Sequence, residues 1–224
     1  NGDTFVPEYI EVYTDLNERH GRSGSEPPPF IGATVLEPHK KYYTNPIATL
    51  DFASLYPSIM MRRNLCHTTL LKSHQHALEQ GLTPNDYEET PNGFLFVKRE
   101  HCQGILPQIL KELLSTRKLA KKAMAEAKDP FVKGIMNGRQ LALKVCANSV
   151  YGYTGAPKAP HPARAVSSSV TAWGRKMIYD SKNWVETHYP SCRVIYGDTD
   201  SIMILFPDGT SVSDAMIQAK GMDK

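Results

Sequence analysis

Apolar positions along the chain recur at two spacings, and each spacing marks a different kind of element. From residue 105 onward, Ile105/Ile109/Leu113 and Leu106/Leu110/Leu114 form adjacent i, i+4 rows that merge into the apolar stripe of an amphipathic helix. The same rows continue as Arg117/Lys121 and Lys118/Lys122, so one helix face passes from core packing to a cationic surface. Asp129-Pro130 breaks the pattern, and a second helix is predicted over 131–151, stopped by Gly152. Two helices joined this closely pack antiparallel. A third helical stretch, 166–187, leads to a strand at 193–196, the turn Gly197-Asp198-Thr199-Asp200 and a strand at 202–205, a β-hairpin with carboxylates at its tip. Residues 47–50 are a short apolar, β-branched run, predicted as a buried strand that delivers Asp51 at its end, and Pro57 bends or opens the helix that follows.

The fold class is therefore α+β. Residues 16–30, with Gly21, Gly24 and Pro27-Pro28-Pro29, read as a linker, and 72–98 as a loop or hairpin insertion. The chain starts at Asn1 without Met and stops at Gly221-Met222-Asp223-Lys224, and is expected to be an excerpt of a longer polypeptide. No run of 18 apolar residues and no apolar signal core occurs, so a soluble protein without a membrane partner is expected. Cys66, Cys102, Cys146 and Cys192 lie far apart with no C-x-x-C pair, which favours reduced thiols over a zinc site. A net charge of +3 conceals a concentration: residues 98–144 hold eleven Lys/Arg against four Asp/Glu, and the remainder is net acidic. Taken alone, such a run describes a solvated helix face as well as a polyanion surface.

The candidate chemistry is carboxylate chemistry. Asp198 and Asp200 are one residue apart between strands too apolar to lie in solvent. Two carboxylates about 4 Å apart repel by about 4 kcal/mol at an effective dielectric near 20, and a divalent cation turns that repulsion into binding. Gly-Asp-x-Asp by itself is an ordinary turn, but Asp51 supplies a third carboxylate, the kind of set that holds two ions for in-line phosphoryl displacement. On the second helix Gln140, Lys144, Asn148 and Tyr151 share one face. Arg117 and Lys121 emerge from the first helix and complete a cationic set suited to a triphosphate.

Three segments carry a resemblance. Asp51 to Met60 (DFASLYPSIM) is similar to motif A of family B DNA polymerases, Lys144 to Gly152 (KVCANSVYG) to its motif B, and Tyr196 to Ser201 (YGDTDS) to its motif C, in the family's order. The likeness runs from about residue 31 to 206, and within the family is nearest the eukaryotic delta-type and herpesvirus-type enzymes. It implies a polymerase palm, an antiparallel sheet with packed helices, plus a two-helix fingers subdomain. The spans would be 31–102 for the first part of the palm with its insertion, 103–154 for the fingers, 155–210 for the rest of the palm and 211–224 for the start of a following segment.

The resemblance further implies that Asp51, Asp198 and Asp200 are catalytic and, with the Phe52 carbonyl, hold two Mg²⁺ ions. Ser54, Leu55 and Tyr56 would bind the β/γ-phosphates, with the Tyr56 ring excluding a ribose 2′-hydroxyl. Arg117, Lys121, Lys144, Asn148 and Tyr151 would complete the nucleotide site, and Tyr196 and Gly152 would lie at the primer and template. Primer-template DNA, deoxynucleoside triphosphates, a processivity factor bound through other regions, and the nucleus follow from the same likeness. No exonuclease motif and no thumb are recognised in this stretch, so little processive synthesis is expected from it alone.

Two departures stand out: the proline-rich connection at 156–164, and Arg62-Arg63 after motif A. Two other readings stay open at this stage. A non-catalytic nucleic-acid-binding module would have no reason to keep three mutually repelling carboxylates. A protein-primed polymerase would carry a larger insertion between motifs A and B.

Overall fold

The computed structural model describes residues 31–159 and 162–222, so the linker predicted at 16–30 lies outside the described residues. The fold mixes helices with antiparallel sheets and divides into two compact units, one built from Tyr56–Val170 and the other from Gly32–Leu55 and Thr171–Lys224.

The second unit is organised on a four-stranded antiparallel sheet. Its strands are β1 (Val35–Leu36), β2 (Ile47–Asp51), β6 (Arg193–Asp198) and β7 (Ser201–Leu205), in the order β1-β6-β7-β2. Alternation gives the sheet one apolar face, where Leu36, Val194, Ile202 and Ile204 pack with Ile178 and Val185 of α5 (Arg164–His188). Residues 211–224 contain α6 (Val212–Met222), whose Ala215, Ala219 and Met222 join the same core. The run at 47–50 is a strand, but an edge strand rather than a buried one. Only Ala48 and Leu50 turn to the core, and Ile47 is 41% exposed. A bulge between Val194 and Tyr196 shifts the β6–β7 register.

In the first unit, the residues predicted as a loop or hairpin insertion form a small folded layer. β3 (Leu70–Leu71), β4 (Tyr87–Glu89) and β5 (Leu95–Val97) pair in the order β3-β5-β4 and, with α2 (His74–Glu79), enclose a core of Leu71, Ala77, Tyr87, Leu95 and Val97. Strands of two or three residues are too short to show a period, which is why the pattern concealed them. Buried Asn64, at φ +53°, ties this layer to the next helix. Its Nδ2 donates to the carbonyls of Val97 (2.8 Å) and Cys102 (2.7 Å), and its Oδ1 accepts from the Gly104 N–H (2.9 Å).

Two long helices follow, α3 (Ile105–Glu126) and α4 (Pro130–Gly155), packed against each other. Asp129 caps α4 by accepting from the Phe131 N–H at 2.9 Å, with Pro130 in the first turn. Gly152 does not stop this helix, which runs on to Gly155. The predicted stripe holds in part: Leu110 is buried and Leu106, Leu113 and Leu114 are half-buried, but Ile105 and Ile109 are exposed, and the inward face continues through half-buried Arg117 and Met124 and buried Ala120. Facing positions on α4 are Gln140, Ala147 and Thr154, all buried and seven residues apart. That is coiled-coil-like spacing.

Candidate active site

Strand register assembles the carboxylates. Ser201 opens β7 and pairs with Asp198 of β6 on one side and Asp51 of β2 on the other. Residues directly opposite in a sheet project to the same face, so Asp198, Ser201 and Asp51 form a row across three strands. Two strand spacings separate its ends, about 9–10 Å. The next row on this face is Tyr196, Met203 and Thr49, which sets Tyr196 one step behind the carboxylates.

Asp200 occupies the hairpin tip and is pinned from both sides. Its carbonyl accepts from the Phe52 N–H at 2.8 Å, and its own N–H donates to the Asp198 carbonyl at 2.6 Å. Burial, the charge of Asp51 and, more weakly, that of Asp198 push the Asp200 carboxyl above its usual range against the pull of a backbone hydrogen bond. Thr199 sits at φ +54°, a conformation that β-branched residues avoid, and is held there by its N–H to the Thr34 carbonyl (3.0 Å) and its hydroxyl to Asp198 Oδ1 (2.8 Å).

Among the described residues no three His, Cys, Asp or Glu side chains are grouped so that they could hold a metal ion between them. An open, all-oxygen set under mutual repulsion nevertheless suits Mg²⁺, which is commonly held by one or two carboxylates together with substrate phosphates. A cavity of about 770 Å³ adjoins the end of β2, with Asp51, Phe52, Asp180 and Trp184 in its wall. Leu50, Val185 and Ile202 also line it, so it opens toward the core side of the sheet, and neither Asp198 nor Asp200 borders it.

The remaining candidates sit around α1 (Leu55–Arg62) and on α3 and α4. Ser54 precedes α1 at φ +52°. Pro57, in the third helical position, has no N–H to offer. Inside the first unit the Tyr56 and Tyr151 rings meet with centroids 4.3 Å apart, tilted by 43°. Lys121, Lys144 and Asn148 are exposed. Arg117 is half-buried, and its Nε donates to Gln140 Oε1 at 3.4 Å. The carboxylates thus lie in one unit, and the cations and the tyrosine pair in the other.

The sequence model of DNA polymerase family B matches residues 5–224. The chain belongs to that family. It is 56% identical over 184 residues to the DNA polymerase delta catalytic subunit of Candida albicans, covering 79% of this chain and 18% of that subunit. It is 53% identical over 194 residues to the one of Bos taurus, covering 84% and 17%. The family B DNA polymerase of the hyperthermophilic archaeon Pyrobaculum calidifontis superposes with a TM-score of 0.63 at 32% identity, over 88% of this chain and 24% of that one. The chain thus spans less than a fifth of the length of these curated relatives.

Several residues of this family B segment escaped the sequence reading. Gly197 faces the core, where a Cβ would meet Leu36 Cδ1 at 2.9 Å, the Ser201 carbonyl at 3.1 Å and Ile178 Cδ1 at 3.2 Å. The motif glycine is therefore dictated by space, which no spacing rule reveals. Arg63, one of the two unexpected arginines, pairs with Glu88 of the insertion layer at 2.5 Å. Gln140 was visible as a polar residue on the Lys144 face, but its burial against Arg117 was not.

Proposed function

We propose that this segment is the nucleotidyl-transfer centre of a DNA-directed DNA polymerase, adding deoxynucleoside triphosphates to a primer 3′-hydroxyl. The observation that carries the reading is the acidic row across β2, β7 and β6, with Asp200 destabilised in its charged form at the tip. Asp51, Asp200 and the Phe52 carbonyl would hold two divalent ions, Mg²⁺ in the finer reading, with Asp198 alongside. Bound there, the metals would activate the attacking hydroxyl and stabilise the departing pyrophosphate.

The unit with the four-stranded sheet corresponds in this reading to palm, and α3 with α4 to fingers. Ser54, Leu55 and Tyr56 stand at the start of α1, where the positive end of the helix dipole favours phosphate. Tyr56 would close the space a ribose 2′-hydroxyl needs, with Tyr151 as the wall behind it. Arg117, Lys121, Lys144 and Asn148 would bind the triphosphate, where cations gain most as charge develops in the transition state.

Gly152 lies inside α4 with nothing within 4 Å of the position a Cβ would take. Open space there leaves room for primer or template to approach, with Tyr196 by the primer end. The eukaryotic relatives support work in the nucleus with accessory subunits. No helix among the described residues is long and apolar enough to cross a membrane.

The test is single-nucleotide incorporation by the full-length polymerase carrying this segment. Asp200→Asn should lower the rate by about 10²–10³-fold, the scale of losing one preorganised electrostatic group. Normal incorporation by that variant would remove the metal-site assignment.

A further inference from the structure

Gln140 is 7% exposed, a polar side chain in a helix–helix seam otherwise lined by Leu110, Ala120, Ala147 and Thr154. A buried amide is costly unless both its ends are bonded. Here both are. Its Nε2 donates to Asn137 Oδ1 at 3.0 Å, one turn earlier on α4, and its Oε1 accepts from Arg117 Nε on α3 at 3.4 Å.

The orientation of the amide is fixed by chemistry. Arginine offers only donors, so the oxygen must face Arg117, and the NH₂ is left to Asn137. Arg117 is held through Nε alone, with no partner on its two terminal nitrogens among the described residues. Capture of Nε restrains the swing of the guanidinium about its long side chain while sparing those terminal nitrogens for an anion.

We infer that Gln140, oriented by Asn137, is a positioning residue that presets the Arg117 guanidinium for the triphosphate of the incoming nucleotide. This rests on the proposed triphosphate role of Arg117. Gln140 touches no reacting atom, and its effect passes entirely through Arg117. An apolar residue would pack in the seam more cheaply, as Ala147 does one heptad on, so the amide is explained by what it holds.

A double-mutant cycle in the full-length polymerase tests this, reading the KM for the nucleotide, the maximal rate and the affinity for primer-template separately. Gln140→Leu keeps the side chain's size and removes both bonds. It should raise KM roughly tenfold, the effect of losing a hydrogen bond to a charged group, with primer-template affinity unchanged. In an Arg117→Ala background the same change should add less than about twofold, since the two residues act as one unit.

Asn137 is exposed, so Asn137→Ala leaves the seam intact and serves if Gln140→Leu folds poorly. It should raise KM about threefold, and only when Arg117 is present. Multiplicative losses, or an unchanged KM in both the Gln140 and Asn137 variants, overturn the positioning role. An Arg117→Ala enzyme with unaltered KM would instead overturn the triphosphate role of Arg117.

Discussion

Tyr56 and Tyr151 show how a side chain's behaviour depends on what stands behind it. The sugar gate proposed for Tyr56 is stiff only if something limits the rotation of its ring, and the Tyr151 ring at 4.3 Å is in place to do so. Steady-state competition between ribo- and deoxyribonucleotides should therefore show two effects of unequal size in the full-length polymerase. With Tyr56 in its proposed role, Tyr56→Ala removes the gate and should raise ribonucleotide use strongly. Tyr151→Ala leaves the gate but frees it, and should raise ribonucleotide use by a smaller factor, with Tyr151→Phe close to the parent. Unchanged discrimination in Tyr151→Ala would mean that the ring contact has no part in sugar selection. The tyrosines themselves were legible in the motifs. Their contact was not, because Tyr56 and Tyr151 are brought together by tertiary packing across 95 positions of sequence.

Among the elements, the β6–β7 hairpin carries the most constraint per residue. Thr199 is held at positive φ and Gly197 is pressed against Leu36, Ile178 and the Ser201 backbone, so the tip is specified from above and below. Gly197→Ala should cost about 1–3 kcal/mol, the usual range for overpacking, because one of its close neighbours is a backbone carbonyl that cannot swing away. Denaturant unfolding of the full-length polymerase and incorporation assays should fall together, since relief of the clash displaces Asp198 and Asp200. A variant with full stability would show that the core side of β6 has more room than the structure gives it.

The helices teach a complementary lesson. Their existence and order were legible from an i, i+4 pattern, and the buried face was legible in part. The pattern turned Ile105 and Ile109 inward together with the leucines, whereas both isoleucines are exposed and the buried positions run on to Ala120, with Ala147 buried on α4. Buried Gln140 and half-buried Arg117 share that seam with Leu110, so its edges follow packing between two helices, which the hydrophobicity pattern of one helix does not carry.

At the scale of the whole molecule, charge is segregated. Tyr56–Val170 carries sixteen Lys/Arg against eight Asp/Glu, while the unit with the acidic row is close to neutral. The row is therefore a local concentration, and its effect on stability has a definite sign. Asp200 has its carboxyl raised, first by burial and then by Asp51 and Asp198. Such a group stabilises the fold while protonated; that contribution is fully present below the ordinary carboxylate range and is lost as pH rises through the raised value. At neutral pH in a chelator, Asp200→Asn should unfold at a higher temperature than the parent. The difference should shrink in acid, and saturating Mg²⁺ should stabilise the parent more than the variant. A variant no more stable than the parent in chelator would contradict the strain assigned to this row.

The sequence by itself determined the fold class, the order of the longer elements and the family, and singled out the three aspartates, because period and short motifs are local properties of a chain. Tertiary structure alone decided that Ser201 aligns Asp51 with Asp198, that Gly197 has no room for a methyl group, and that Gln140 meets Arg117. Those facts depend on register and volume between distant segments, and neither quantity is written in any one stretch of residues.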